Sequence, residues 1–144
     1  MKIVIHPDPV LEQVCSHADP SVHDDTVREM IGLMYAANGA GLAAPQVGIT
    51  RRFFVMNASG VKGMERVFFN PVLHRARGKR EYAIEGCLSL PDRAVKVLRF
   101  PIVLIEYEDS KGRKKRHQSQ SPWEARVMQH EMDHLDGKLI GAEA

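Results

Sequence analysis

The chain has 144 residues, enough for one hydrophobic core but not two, so a single domain spanning 1–144 is expected. Hydrophobic residues make up 44% of it and the formal net charge is only +2, which excludes a disordered chain and an extreme polyelectrolyte. No apolar window approaches the length of a membrane span, and the N-terminus is too short in apolar residues and too poor in Arg for a leader, so a cytoplasmic protein with no membrane partner is expected.

In chain order, His6-Pro-Asp-Pro9 removes two backbone donors within a few residues, which predicts a surface turn followed by a polar lead-in. In a reducing compartment Cys15 and Cys87 are each a free thiol or a metal ligand rather than partners in a disulfide. From Asp24 to Asn38, Val27, Met30, Ile31 and Met34 fall at helical spacing, with Asp24 and Asp25 at the positive end and Gly39 as the stop. Met30, Met34 and Met56 read as packing residues. The stretch Gly39-Ala-Gly-Leu-Ala-Ala-Pro-Gln-Val-Gly48 carries so little side chain that its backbone can approach a substrate or another strand closely. It lacks the Lys-Ser/Thr of a phosphate loop. A tight helix-to-sheet connection accounts for its glycines but not for Gln46, whose amide is suited to holding a carbonyl oxygen.

Arg52–Met56 and Arg66–Asn70 are aromatic and β-branched, which predicts strands joined by a loop, with Pro71 limiting further pairing. Ala94–Leu98, Ile102–Tyr107 and Arg113–Ser119 predict three more short strands. The basic run Lys111–Arg116 reads as a solvated hairpin tip; without interleaved aromatic residues it does not make nucleic acid an expected partner. Ser121 and Pro122 begin a final helix with Glu124 in its first turn, carrying Val127, Met128 and Leu135 toward the core. No repeat, low-complexity segment or linker divides the chain.

That helix contains Gln129-His-Glu-Met-Asp-His134. Residues four apart are offset by about 40° and roughly 6 Å of rise, so His130 and His134 project from one face as a metal clamp, with Glu131 beside it. Two imidazoles suit a divalent transition metal, and a carboxylate there can take a proton from an activated water. The alternative for a bare histidine pair is a solvated helix face; Glu131 tips the reading toward metal. A catalytic site usually has three protein ligands, and the chain offers Cys87 within Glu85-Gly-Cys-Leu-Ser-Leu-Pro91, where Gly86 permits an unusual turn. From the residues alone, a buried structural cysteine is the preferred reading of Cys87.

Gly39-Ala-Gly-Leu-Ala-Ala-Pro-Gln46, Glu85-Gly-Cys-Leu-Ser89 and Gln129-His-Glu-Met-Asp-His134 together resemble, in this order, the three signature motifs of the peptide deformylases. The likeness extends from the Pro-Asp turn to Lys138. It implies an α+β fold in which small antiparallel sheets surround a central helix bearing the His-Glu-x-x-His motif. It also implies a hydrolase with one divalent ion, Fe²⁺ physiologically, replaced by Zn²⁺, Ni²⁺ or Co²⁺ in a purified sample. Such an enzyme removes the N-formyl group from the initiator methionine of nascent polypeptides, at the ribosome and as a monomer. Carried over, Cys87, His130 and His134 become the metal ligands, Glu131 the general acid/base, and Gln46 with the backbone N–H of Leu88 the oxyanion donors. Metal-bound hydroxide would attack the formyl carbon, and Glu131 would return its proton to the departing amine. Gly39, Ala40 and Gly41 would pair with the extended substrate as an added strand, alongside Glu85 and Gly86. Ala40, Ala83, Trp123 and Val127 would line the methionine pocket, and Arg99, beginning the strand after the cysteine motif, would form an ion pair with Glu85.

Two departures accompany the resemblance. Ala40 stands where most members carry Val or Ile, and the sequence ends ten residues after His134, as in members encoded by bacteriophages, with Leu139 and Ile140 expected to cover the end of the helix. Two rival readings are a metallopeptidase and a catalytically silent peptide-binding homologue. The first needs a third His or Glu ligand after His134, where only Glu143 is found. The second predicts a damaged site, yet Gln46, Cys87, His130, Glu131 and His134 are all in place.

Overall fold

The computed structural model describes residues 1–141. In chain order these form helix α1 (Asp24–Ala36), strands β1 (Gly41–Ala43), β2 (Phe53–Met56), β3 (Arg66–Arg77), β4 (Glu81–Cys87), β5 (Leu90–Arg99), β6 (Ile102–Glu108) and β7 (Lys114–Gln118), and helix α2 (Pro122–Leu135). Strands β1-β2-β3-β6-β7 make one antiparallel sheet in that spatial order, and β4-β5 form a separate hairpin. The architecture is α+β, with small antiparallel sheets around the helix that carries both histidines.

The continuous apolar run Phe53–Met56 explains the layering, because a strand buried on both faces needs no polar alternation. Phe53 and Val55 pack with Met30 and Met34 of α1, while Phe54 and Met56 pack with Ala125, Met128 and Leu135 of α2. Further along the sheet only one face is covered: Val103 and Ile105 of β6 join the α2 layer, and the alternate residues face outward.

Helix α2 starts as its sequence dictates. Ser121 Oγ accepts the Glu124 N–H at 3.0 Å, Pro122 takes the first helical position, and Glu124 meets His117 of β7 at 2.6 Å. Gly137 follows the helix with a φ of +73°, and a Cβ there would overlap the Glu12 carbonyl. Leu139 and Ile140 are both buried, packed with Leu11 and with Cys87 and Leu90 of the β4–β5 hairpin. The last residues, including Glu143, lie outside the described region.

Several elements differ from the sequence reading. Helix α1 ends because Asn38, not Gly39, turns left-handed, with a φ of +57°. The polar lead-in contains two 3₁₀ turns, Pro9–Glu12 and Pro20–Val22, and the first buries Leu11 completely. Strand β3 runs through Pro71 because that residue sits in a bulge between Phe69 and Val72, where no ladder bond is demanded of it. Strands β1 and β4 were not expected, and Arg99 ends β5 rather than beginning a strand.

Candidate active site and metal centre

Arg126, His130 and His134 recur at four-residue intervals and so share one face of α2. That face lies against the end of β4, where Cys87 precedes the tight turn into β5. The Cys87 Sγ and one ring nitrogen from each histidine all lie within 4.8 Å of one another. His130 Nε2 and His134 Nε2 are 3.2 Å apart, and Cys87 Sγ is 3.4 Å from His134 Nε2. Tetrahedral ligands at ordinary zinc–nitrogen and zinc–sulfur bond lengths would be separated by about 3.3 Å and about 3.6 Å, so these donors stand at the spacing of ligands around one ion. A thiolate with two imidazoles is also the donor set that borderline divalent metals prefer.

Glu85 orders this cluster from behind. Its carboxylate accepts four hydrogen bonds: from His130 Nδ1 at 2.9 Å, from Arg99 at 2.9 and 3.0 Å, and from Arg126 at 2.7 Å. The expected Glu85–Arg99 pair is therefore present, buried, and extended to Asp133, which Arg99 reaches at 2.6 Å. Burial works against charge on Glu85, but His130, Arg99 and Arg126 outweigh it and hold its pKa down at about 2. Since an ionised carboxylate only accepts, the Nδ1 facing Glu85 carries a proton, so the neutral form of the His130 ring has its lone pair on Nε2, turned toward Cys87 and His134. In the ion-free protein burial disfavours a charged His130, yet hydrogen bonds with Cys87 and Glu85 raise its pKa to about 10, while burial and the neighbouring His130 push His134 down to about 3.

Glu131 is almost completely buried, and its Oε1 has no hydrogen-bond partner. Burial raises its pKa to about 7, against the opposing pull of His130 and Arg99. Its carboxyl group fits because Gly41 has no side chain: a Cβ there would stand 2.5 Å from Glu131 Oε2. The glycine-rich stretch thus makes room for a carboxylate of this chain, a use not read from the sequence. Gln46 is buried in the 3₁₀ turn Ala44–Val47; its Oε1 accepts the Ala43 N–H at 2.9 Å, which aims its NH₂ at Ser89 Oγ, 3.1 Å away, and Cys87 Sγ, 3.7 Å away.

A cavity of about 460 Å³ opens over these groups, a size suited to a small ligand or a peptide end. Its lining brings Gly39, Ala40 and Gly41 together with Gln46, Glu85, Gly86, Cys87, Leu88, Trp123, Val127, His130 and Glu131, residues of all three motifs and of the expected substrate pocket. Ala83 is the exception. It is exposed on β4 and lies outside the lining, whereas the neighbouring Ile84 lines the cavity. Sequence reasoning also missed Arg126 and Ser89, although Arg126 lies four residues before His130 on the same helix face and could have been found by that spacing.

The family model for polypeptide deformylase matches residues 1–144. Among curated relatives, the peptide deformylase of Flavobacterium psychrophilum is 37% identical, covering 97% of this chain and 80% of the relative. The crystal structure of peptide deformylase from Thermotoga maritima superposes with a TM-score of 0.89 at 36% identity, covering 96% of this chain and 92% of that one. A probable peptide deformylase from Synechococcus phage S-SSM7 gives a TM-score of 0.88 at 32% identity, with 97% of each chain covered.

Proposed function

The chain belongs to the polypeptide deformylase family of metal-dependent hydrolases, and from that premise we propose that it removes the formyl group from the initiator methionine of nascent polypeptides using Cys87, His130 and His134 as ligands and Glu131 as general acid/base. The observation that carries this reading is the convergence of three donor atoms within 4.8 Å of one another, beside a buried carboxylate with an unpartnered oxygen. Fe²⁺ is the proposed physiological ion; Zn²⁺, Ni²⁺ and Co²⁺ suit the same donors. When bound, the ion supplies Lewis acidity, lowering the pKa of water and polarising a carbonyl oxygen.

The other steps fall to the protein. Glu131, buried beside the donor atoms with one oxygen unpartnered, takes a proton from the attacking water and returns it to the departing amine. Gln46, with its NH₂ direction fixed by the Ala43 N–H, donates to the formyl oxygen as negative charge develops there, together with the Leu88 N–H. Strand β1 is at the edge of its sheet; the Gly39 N–H and the Ala40 carbonyl are bonded to Met34 and Asn57, and the outer edge of the strand pairs with the extended end of a polypeptide. Ala40, Ile84, Trp123 and Val127 then surround the first side chain. Glu85, held by Arg99 and Arg126, keeps the His130 ring oriented throughout. This work is assigned to a cytoplasmic monomer acting on chains that emerge from the ribosome.

The test is formate release from a formyl-methionyl tripeptide by protein loaded anaerobically with Fe²⁺. Turnover on the order of 1–10³ s⁻¹ is expected. A folded, fully loaded sample that releases no formate would overturn the assignment.

A further inference from the structure

The two proposed oxyanion donors lie on separate segments, Gln46 in the 3₁₀ turn Ala44–Val47 and Leu88 in the turn between β4 and β5. A third segment, near the start of the chain, joins them from behind. The Val4 N–H donates to the Gln46 carbonyl at 2.7 Å, and the His6 N–H donates to the Ser89 carbonyl at 2.9 Å. Ile3 and Leu88 both pack against the cluster that includes Ala44, whereas Val4 packs against the one that includes Cys87 and Leu90. Neighbouring side chains pointing to opposite sides are the mark of an extended chain, in which N–H groups two residues apart share an edge. That edge therefore holds both turns at once. Beyond it, Leu11 is completely buried in the turn Pro9–Glu12 and anchors the segment.

The Gln46 side chain has little freedom left. Its Oε1 accepts the Ala43 N–H at 2.9 Å and one amide hydrogen goes to Ser89 Oγ at 3.1 Å, which leaves a single N–H on the side of Cys87 Sγ. Ser89 is completely buried, and its carbonyl is the one that His6 holds. The direction of the remaining Gln46 N–H thus depends on where Val4 and His6 set the two backbones. Among the described residues that line the catalytic cavity none belongs to 3–6, so the segment acts without touching substrate.

We propose that residues 3–6 are the positioning element of the oxyanion donors, with the Val4 N–H as the central group, setting the spacing between the Gln46 amide and the Leu88 N–H. The inference rests on the deformylase reading for the use of these donors, and on the hydrogen bonds for the tie itself. Donors aimed at developing charge are sensitive to placement: losing one costs about 10²–10³ in kcat, and a shift of about 1 Å costs about 10². Since these bonds strengthen only as charge develops, the loss falls on kcat rather than on KM.

Val4→Pro removes the N–H while the fixed φ of proline suits an extended chain, and Val4→Ala keeps the N–H but trims the packing. Both are to be compared with wild type for ion content and for kcat and KM on a formyl-methionyl tripeptide, using Fe²⁺-loaded protein. Hydrogen exchange of the Gln46 side-chain amide is to be followed by NMR on Zn²⁺-loaded protein. Val4→Pro should keep one ion per chain and a KM within about twofold of wild type, yet lose at least about tenfold in kcat and exchange the Gln46 amide at least about tenfold faster. Val4→Ala should lose less than about threefold in each. Equal kcat and equal exchange in the two variants would overturn the proposal, as would a fall in kcat matched by an equal fall in ion content. Wild type supplies a check that needs no variant to fold: its Val4 and His6 amide protons should exchange at least about 10²-fold more slowly than those of an open chain. Exchange of either at the open-chain rate would overturn the tie. Wild type that shows this protection but releases no formate would instead overturn the deformylase reading.

Discussion

A single missing Cβ decides whether the candidate acid/base fits. At Gly41 an added methyl would meet three atoms of the Glu131 side chain at 2.5–2.9 Å, and Glu131 is too deeply buried to swing aside freely. Gly41→Ala should therefore reduce kcat by at least tenfold while leaving the bound ion in place, read by metal analysis beside steady-state rates. A variant with both intact would mean that the carboxylate can act from elsewhere. Glu85 carries a second prediction at this scale. Its pKa is about 2 in the folded, ion-free protein against an ordinary 4.5, so between those values the unfolded chain binds more protons. The stability it contributes is complete above about 4.5 and is lost as pH falls through about 2. Urea unfolding of ion-free protein should show wild type losing its advantage over Glu85→Gln across that window; an advantage independent of pH would contradict the assignment.

Helix α2 and the β4–β5 hairpin are separate elements that must be locked together for the ligands to meet. Besides Glu85, Arg126 reaches the Val97 carbonyl at 3.0 Å and the Glu81 carbonyl at 2.9 Å, joining both hairpin strands to the helix. Arg126→Ala removes one partner of a buried ion pair and strands two carbonyls, so it should cost about 3–5 kcal/mol and weaken metal retention, both measurable by denaturation and dialysis. Arg126→Lys should recover only part of each, since an ammonium cannot span three acceptors in the plane of a guanidinium. Stability and metal affinity unchanged in the alanine variant would remove Arg126 from this role. The two elements were not equally legible in the sequence. The start of α2 is marked by local chemistry at Ser121, Pro122 and Glu124, and its candidate ligand face by the four-residue spacing of His130 and His134. Strand β4 has no such signal, because Tyr82 and Ile84 are exposed and Glu85 is buried, an inversion that follows from what the hairpin packs against. The second half of β3, beyond Asn70, was hidden for the opposite reason: Pro71 advertises a stop that the bulge renders harmless.

At the scale of the molecule, three layers meet on strands β1 and β2, and a smaller cluster of Leu11, Cys87, Leu90, Leu139 and Ile140 closes the end nearest the ligands. Cys87 thus packs in this cluster while its Sγ stands with the two imidazoles, so the buried cysteine and the candidate ligand are one residue. Leu139→Ala should cost about 2–5 kcal/mol, seen as a lower denaturation midpoint, because the neighbours that seat it are fixed by the sheet hairpin and cannot easily collapse. A loss under about 0.5 kcal/mol would mean this end is not packed as described. The motif residues of the candidate site were readable because each chemical role demands one residue type; the walls were less so, since which residues of β4 reach the cavity depends on how the hairpin packs, which the three short motifs do not encode. The central claim is that one ion, held by Cys87, His130 and His134, works with Glu131. It is tested most directly by measuring ion content and formate release on the same Fe²⁺-loaded samples of wild type, Glu131→Gln and Cys87→Ser. The account predicts one ion per chain with turnover in wild type, one ion without turnover in Glu131→Gln, and loss of both in Cys87→Ser after dialysis. Near-normal turnover in Glu131→Gln, or full ion content in Cys87→Ser, would contradict it.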